Sequence, residues 1–347
     1  MAGQTLFADF SLTTGGETGV DAANAWRNMQ DAIDGKNGTA PSADLVKCAN
    51  EQLVSTRIDL DQGSGDFTNG SLVFQGNNSS FVNDGTRAVL NANNNDISLM
   101  LINGPDYIRF ENFVFKNTNA AVGNDLIVAP SSSVGNFYDF INCVFDGAHS
   151  LIDMGVVGLG GALFYKCMFL NAASNAIELR TSTSPLHFFV GCVFDTISGA
   201  ALVGNSSVVL IDCFFIDVTG NGIMLSSTSG SSRGIAMNCT FENCADGIQN
   251  AQFFRAIGCR FTNNTVAIDS NAIVSLINSY MPDTGQDRAN TTKTTGVVEE
   301  IFIDGSNSNN TSGDDTDGGY ADPANGDFDL DSTKASQYNQ RNSLESS

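Results

Sequence analysis

The residues able to do chemistry in this 347-residue chain are few and scattered. Cleaving a polysaccharide by hydrolysis takes two or three carboxylates converging within about 5 to 10 Å, one of them kept protonated to serve as the acid. Asp314, Asp315 and Asp317 are spaced closely enough to share a ligand, and a calcium ion is the one they would suit, but the glutamate that closes a calcium loop is missing. Glu178 stands two residues from Arg180, with Arg233 farther along, and no column of acids accompanies them. Asp146, Asp195 and Asp217 each come one or two residues after a phenylalanine and read as solvated turn carboxylates. The two histidines, His149 and His187, form no metal-ligand cluster with the cysteines. The expectation is therefore no catalytic set, no metal and no cofactor.

The eight cysteines carry a different message, because six of them recur inside one short phrase. Phe140-Ile141-Asn142-Cys143-Val144-Phe145 returns as Phe164 to Phe169, Phe189 to Phe194, Leu210 to Phe215, Ala236 to Phe241 and Ala256 to Phe261. Degenerate copies flank the series around Phe113 and Ser279, and the copies follow one another every 20 to 30 residues. A fixed phrase at such a period marks a solenoid. Nine or ten residues after each cysteine comes an aliphatic residue: Ile152, Ile177, Leu202, Ile223, Ile248 and Ile268. Cysteine and phenylalanine two apart share one face of a strand, so both point inward and the residue between them points out. The position before the cysteine is Asn112, Asn142, Lys166, Gly191, Asp212, Asn238, Gly258 and Asn278, residues that, Lys166 excepted, tolerate a left-handed backbone and predict a sharp bend.

One coil thus reads as strand, bend, strand, short turn, strand and return loop. The chain resembles the right-handed parallel β-helix proteins of the pectin-lyase-like superfamily over roughly Leu45 to Pro282, most clearly in Met237-Asn238 through Phe241, Asn243 and Gly247-Ile248. That resemblance implies an all-β solenoid and leaves the chemistry open, because the superfamily includes lyases, hydrolases, adhesins and virus spikes. The polygalacturonase branch would carry Asn-Thr-Asp, Gly-His-Gly and Arg-Ile-Lys, and the only Asp-Asp here is Asp314-Asp315. The lyase branch would carry a calcium-binding set of aspartates beside a basic residue, which this sequence does not display.

Three segments are expected: an arm with a capping helix over 1–44, the β-helix over 45–282 and an acidic, polar cap and tail over 283–347. Residues 1–19 read as an irregular lead-in, without the basic region of a signal peptide. Asp21 is the N-cap candidate of an amphipathic helix running to Asp34 and holding Trp26, the only tryptophan, placed to cover the open end of the solenoid. After Pro282 the period stops, and Val297 to Ile303 is an apolar strand suited to capping the far end. The longer returns, Gly155 to Gly161, Thr181 to Pro185 and Ser226 to Arg233, project from one corner as contact loops.

Composition narrows the partners. A net charge of −22 argues against nucleic acid and anionic membranes, and no apolar run is long enough to span a bilayer. The cysteine column fits buried free thiols better than disulfides. Between each inward cysteine and phenylalanine lies an outward residue, and Val114, Val144, Met168, Val193 and Phe214 form five apolar ones in succession before Thr240, Arg260 and Tyr280. Such a stripe is covered either by the chain's own loops or by another subunit. The reading is a non-enzymatic virion protein, a capsid decoration or short spike, built in the host cytoplasm and trimeric around the stripe. Its partners would be identical subunits, other virion proteins such as the major capsid protein, and a host-surface glycan. The alternatives are a polysaccharide lyase or glycoside hydrolase, and a cell-surface adhesin.

Overall fold

The computed structural model describes residues 5–13, 18–34, 44–60, 71–102, 107–129, 137–155, 161–179, 186–225, 233–249, 253–269, 273–279, 288–289, 300–302, 320–322 and 327–330. Three all-parallel sheets run the length of the rod: a first of 12 strands, a second of 9 and a third of 10. A complete coil contributes one strand to each, as Phe137–Ile141, Val144–Ala148 and Ile152–Met154 do, and strands inside a sheet pair with their counterparts one coil before and one coil after. This is the expected right-handed parallel β-helix.

The bend column behaves as one unit. Asn112, Asn142, Asp212 and Asn238 have φ between 53° and 57°, and Gly191 and Gly258 have 62°. Lys166, the residue that fits the pattern least, adopts φ 52° all the same, so its neighbours impose the corner on it. Asn278 departs from the column and lies within the strand Ile273–Ser279. The cysteines sit at the corner just after the bend rather than within a strand, yet they point inward as expected and are buried. Their thiols donate across the coil boundary: Cys167 to the Phe140 carbonyl at 3.2 Å, Cys192 to Phe164 at 3.3 Å and Cys213 to Phe189 at 3.4 Å. Ser279 takes the same role further on, donating to Ala256 at 3.3 Å. All eight cysteines are free and buried, and burial pushes the Cys167 and Cys192 thiols upward in pKa.

Two aromatic stacks fill the core. From Phe145 through Phe169, Phe194, Phe215 and Phe241 to Phe261 the ring centroids are 4.6 to 5.0 Å apart and the rings nearly parallel, because the coils repeat in register. Phe74, Phe110, Phe140, Phe164 and Phe189 form a second stack from the first sheet, and its rings meet the first stack edge-on, as between Phe140 and Phe145. Offset and edge-on pairs add about 0.5–1.5 kcal/mol each to the area they bury. Opposite them the aliphatic column from Ile152 to Ile268 closes the core from the third sheet.

Both ends differ from the sequence expectation. Thr5–Asp9 is not irregular lead-in; it is the first strand of the first sheet, paired with Leu45–Ala49, so the ladder begins ahead of Leu45. The helix is split. Asp21 does cap, but it caps the 3₁₀ turn Ala22–Asn24, and the α-helix starts afresh at Met29–Asp34. Trp26, between them, pairs with Ala8 in a parallel bridge, and that extended step breaks the helix. The short helix packs at the end of the solenoid: Met29, Ala32 and Ile33 are buried, and the Gln30 side-chain amide bonds both the N–H and the C=O of Asp59 at 2.8 and 3.1 Å. The amide stands in for the missing coil at a sheet edge that would otherwise invite aggregation. At the far end Arg288–Ala289 extends the third sheet and Glu300–Phe302 the first, so pairing continues past Pro282.

Candidate interaction surface

The five stripe residues named from the sequence lie in register. Val114, Val144, Met168, Val193 and Phe214 are successive partners in the second sheet. The valines are half-buried by their neighbours, whereas Met168 is 36% and Phe214 45% exposed. The column then turns polar at Thr240, and Arg260, expected to point out, is buried at 9%. Tyr280 lies outside the described residues.

A wider apolar surface lies around the corner, on the outside of the first sheet, and the sequence reading missed it. One outward column there runs Leu163, Phe188, Val209 and Ile235. The next runs Ile141, Tyr165, Val190, Ile211 and Met237. Of the ten most exposed large apolar side chains among the described residues, six belong to this sheet or to the adjoining stripe: Tyr165, Met168, Leu186, Phe188, Phe214 and Ile235. The signal was in the sequence. Strands such as Leu186–Val190 and Ser207–Ile211 are apolar at both parities rather than alternating, the pattern of a sheet covered on both faces.

The polar candidates take structural places. Asp146 accepts from Asn171 at 2.7 Å and Asp217 from Asn243 at 2.9 Å, so each ties its turn to the following coil rather than facing bulk water alone. Asp195 holds its neighbour Thr196 at 2.9 Å. Glu178 is 7% exposed and accepts from Ser150 at 3.0 Å and Asn175 at 3.1 Å. Its register partner on the outside of the third sheet is Asp153, which places two carboxylates on consecutive coils, a pairing that spacing in the sequence did not reveal. His149 stands 3.8 Å from Asp125, whose carboxylate also caps the Ser150 amide at 3.1 Å. His187 points into the core at 1% exposure, and neither ring nitrogen has a partner among the described residues. Arg233 is exposed at the start of Arg233–Met237. Arg180, Asp314, Asp315, Asp317 and most of the three return loops lie outside the described residues. No group of three metal-ligating side chains occurs among the described residues.

At the lid end, a cavity of about 550 Å³ is lined by Phe10, Arg27, Gln52, Arg57 and their neighbours. Arg57 is held there by Asp59 at 2.6 Å, with both side chains nearly half exposed, so the pair adds little to stability.

No protein-family model and no curated protein matches the chain. Among solved structures, the crystal structure of pectate lyase Pel9A aligns over 86% of this chain and 75% of its own, with 9% identity and a TM-score of 0.46. The PL6 family alginate lyase AlyGC aligns over 86% of this chain and 53% of its own, with 10% identity and a TM-score of 0.41. The likeness is one of fold.

Proposed function

We propose that this chain is a non-enzymatic structural module that associates with copies of itself through the apolar outside of its middle coils, as a virion decoration or short spike protein would. One observation carries the reading: two outward columns of the first sheet, those of Leu163 and Tyr165, remain apolar over the coils from Leu163 to Ile235 while the inward columns of the same strands already supply a complete core. Folding does not require those outward side chains, and water is a poor neighbour for them. The stripe from Val114 to Phe214 extends the same surface around the corner. Because it runs along the rod at one residue per coil, identical copies can meet along these coils and close under rotation.

Light scattering on the purified protein is the test. The expected result is an oligomer that Phe188→Asp or Val193→Asp converts to folded monomer with little change in melting temperature. A monomer at all concentrations for the unmodified protein removes the reading.

A second reading, polysaccharide cleavage by a lyase or hydrolase mechanism, is favoured by the pairing of Asp153 with Glu178. Its signature would be reducing ends or unsaturated uronates released from a polysaccharide panel, at a rate that Asp153→Asn and Glu178→Gln each abolish.

A further inference from the structure

The apolar face of the first sheet is bounded by charge in a way that specifies how two copies meet. Along its central outward column, successive register partners are Asp139, Leu163, Phe188, Val209, Ile235 and Arg255. The column reads as a carboxylate, four apolar residues and a guanidinium. Reversed, it has the same hydropathy and the opposite charge.

The geometry points to a two-fold, antiparallel pairing of this sheet face with the same face of a second copy of the chain, with the axis along the strands midway between Phe188 and Val209. Packed face to face at about 10 Å, as stacked sheets are, Phe188 lies over Val209 of the second copy and Leu163 over Ile235. Asp139 then lies over Arg255, and symmetry repeats that pair at the other end. The neighbouring column agrees, since Val190 falls over Ile211 and Tyr165 over Met237, apolar against apolar throughout.

Charge decides between this arrangement and a parallel one. Side-by-side rods pointing the same way would put Asp139 against Asp139 and Arg255 against Arg255, and like charges facing each other across an interface are costly. The chain carries 38 acidic residues against 16 basic ones, so most alternative contacts between copies are also repulsive. Arg255 is exposed, with no ion-pair partner among the described residues. Asp139 is bound by Arg109 through Oδ2, at 2.9 and 3.2 Å, and with Glu111 3.7 Å from the same guanidinium the cluster is left one negative charge in excess. The basic end of each copy meets the acidic end of the other.

This inference rests on the self-association proposed above, and sedimentation equilibrium with charge reversal separates the two. The unmodified protein is expected as a dimer, or as a larger even-numbered assembly of dimers. Arg255→Asp changes an exposed residue, so the fold is retained by circular dichroism, and dissociation should be easier by about tenfold or more because two pairs become repulsive. Combining Asp139→Arg with Arg255→Asp should restore the dissociation constant to within about threefold. A trimer, an unchanged constant for Arg255→Asp, or a folded double variant as weak as the single one overturns the antiparallel pairing while leaving self-association standing. A monomeric unmodified protein overturns both.

Discussion

From Phe74 to Phe189 the first sheet keeps one interior of stacked phenylalanines and shows two different exteriors. In its early coils the outward residues include the polar Lys47, Gln75, Arg109, Glu111 and Asp139, with Gln75 bound to Glu111 at 2.8 Å and Arg109 to Asp139 at 2.9 Å. In the middle coils the equivalent positions hold Leu163, Tyr165, Phe188, Val190, Val209 and Ile211. Both regions stack the same inward phenylalanines. A coil therefore forms with either kind of outside, and the apolar exterior of the middle coils is the surface that the proposed self-association would cover.

The comparison breaks most sharply inside. Phe194→Ala empties one place in a stack whose centroids are 4.6 and 4.7 Å from their neighbours, and should cost about 3–5 kcal/mol in guanidinium unfolding, as large-to-small core changes do. Phe188→Ser, six residues earlier and facing out, should change the same measurement by less than about 1 kcal/mol. If the two losses are alike, the distinction between core and interface fails.

Acid should expose a weak point in the same strand. Burial holds the His187 imidazole down at about 4, from an ordinary value of 6.5, so between those values the unfolded chain binds a proton that the folded chain refuses. Stability therefore falls as pH drops from about 6.5 to about 4 and levels off below, a loss of about 3 kcal/mol from this group. In His187→Val that contribution should vanish, so the difference in unfolding free energy between the two proteins should grow across this window; a constant difference would mean that His187 is hydrated or paired.

At the corner the expected effect is smaller and favourable. Lys166 occupies a left-handed conformation that glycine fills elsewhere in the column, so Lys166→Gly should stabilise by about 1 kcal/mol in the same assay. The smallest effect is none. Ellman's reagent should find no reactive thiol in the native protein and all eight after unfolding, and rapid labelling of the native state would contradict the buried column.

The interior was legible because each inward column repeats one residue type at one spacing, so Cys143 to Cys259 and Phe145 to Phe261 could be aligned by eye and given a face. The second phenylalanine stack and the outer face of the first sheet were harder to see. Their residues vary from coil to coil, as Leu163, Phe188, Val209 and Ile235 do, and only the register of the sheets shows that they form one column. Asp153 and Glu178 were hidden for the same reason: 25 residues apart in sequence, they become neighbours through third-sheet pairing alone. At the lid end, Trp26 broke the expected helix because its backbone pairs with Ala8, a contact that no local pattern announces.

Because each strand bonds only to the coil before and the coil after, the rod has a direction of mechanical weakness. A pull on the two chain ends loads one boundary at a time, so a coil peels away whole while the next still holds its stacked rings. With coils of 20 to 30 residues, each such event releases about 70 to 100 Å of extended chain. Force spectroscopy would record the rod as a series of short, unequal steps whose lengths report the coil that gave way.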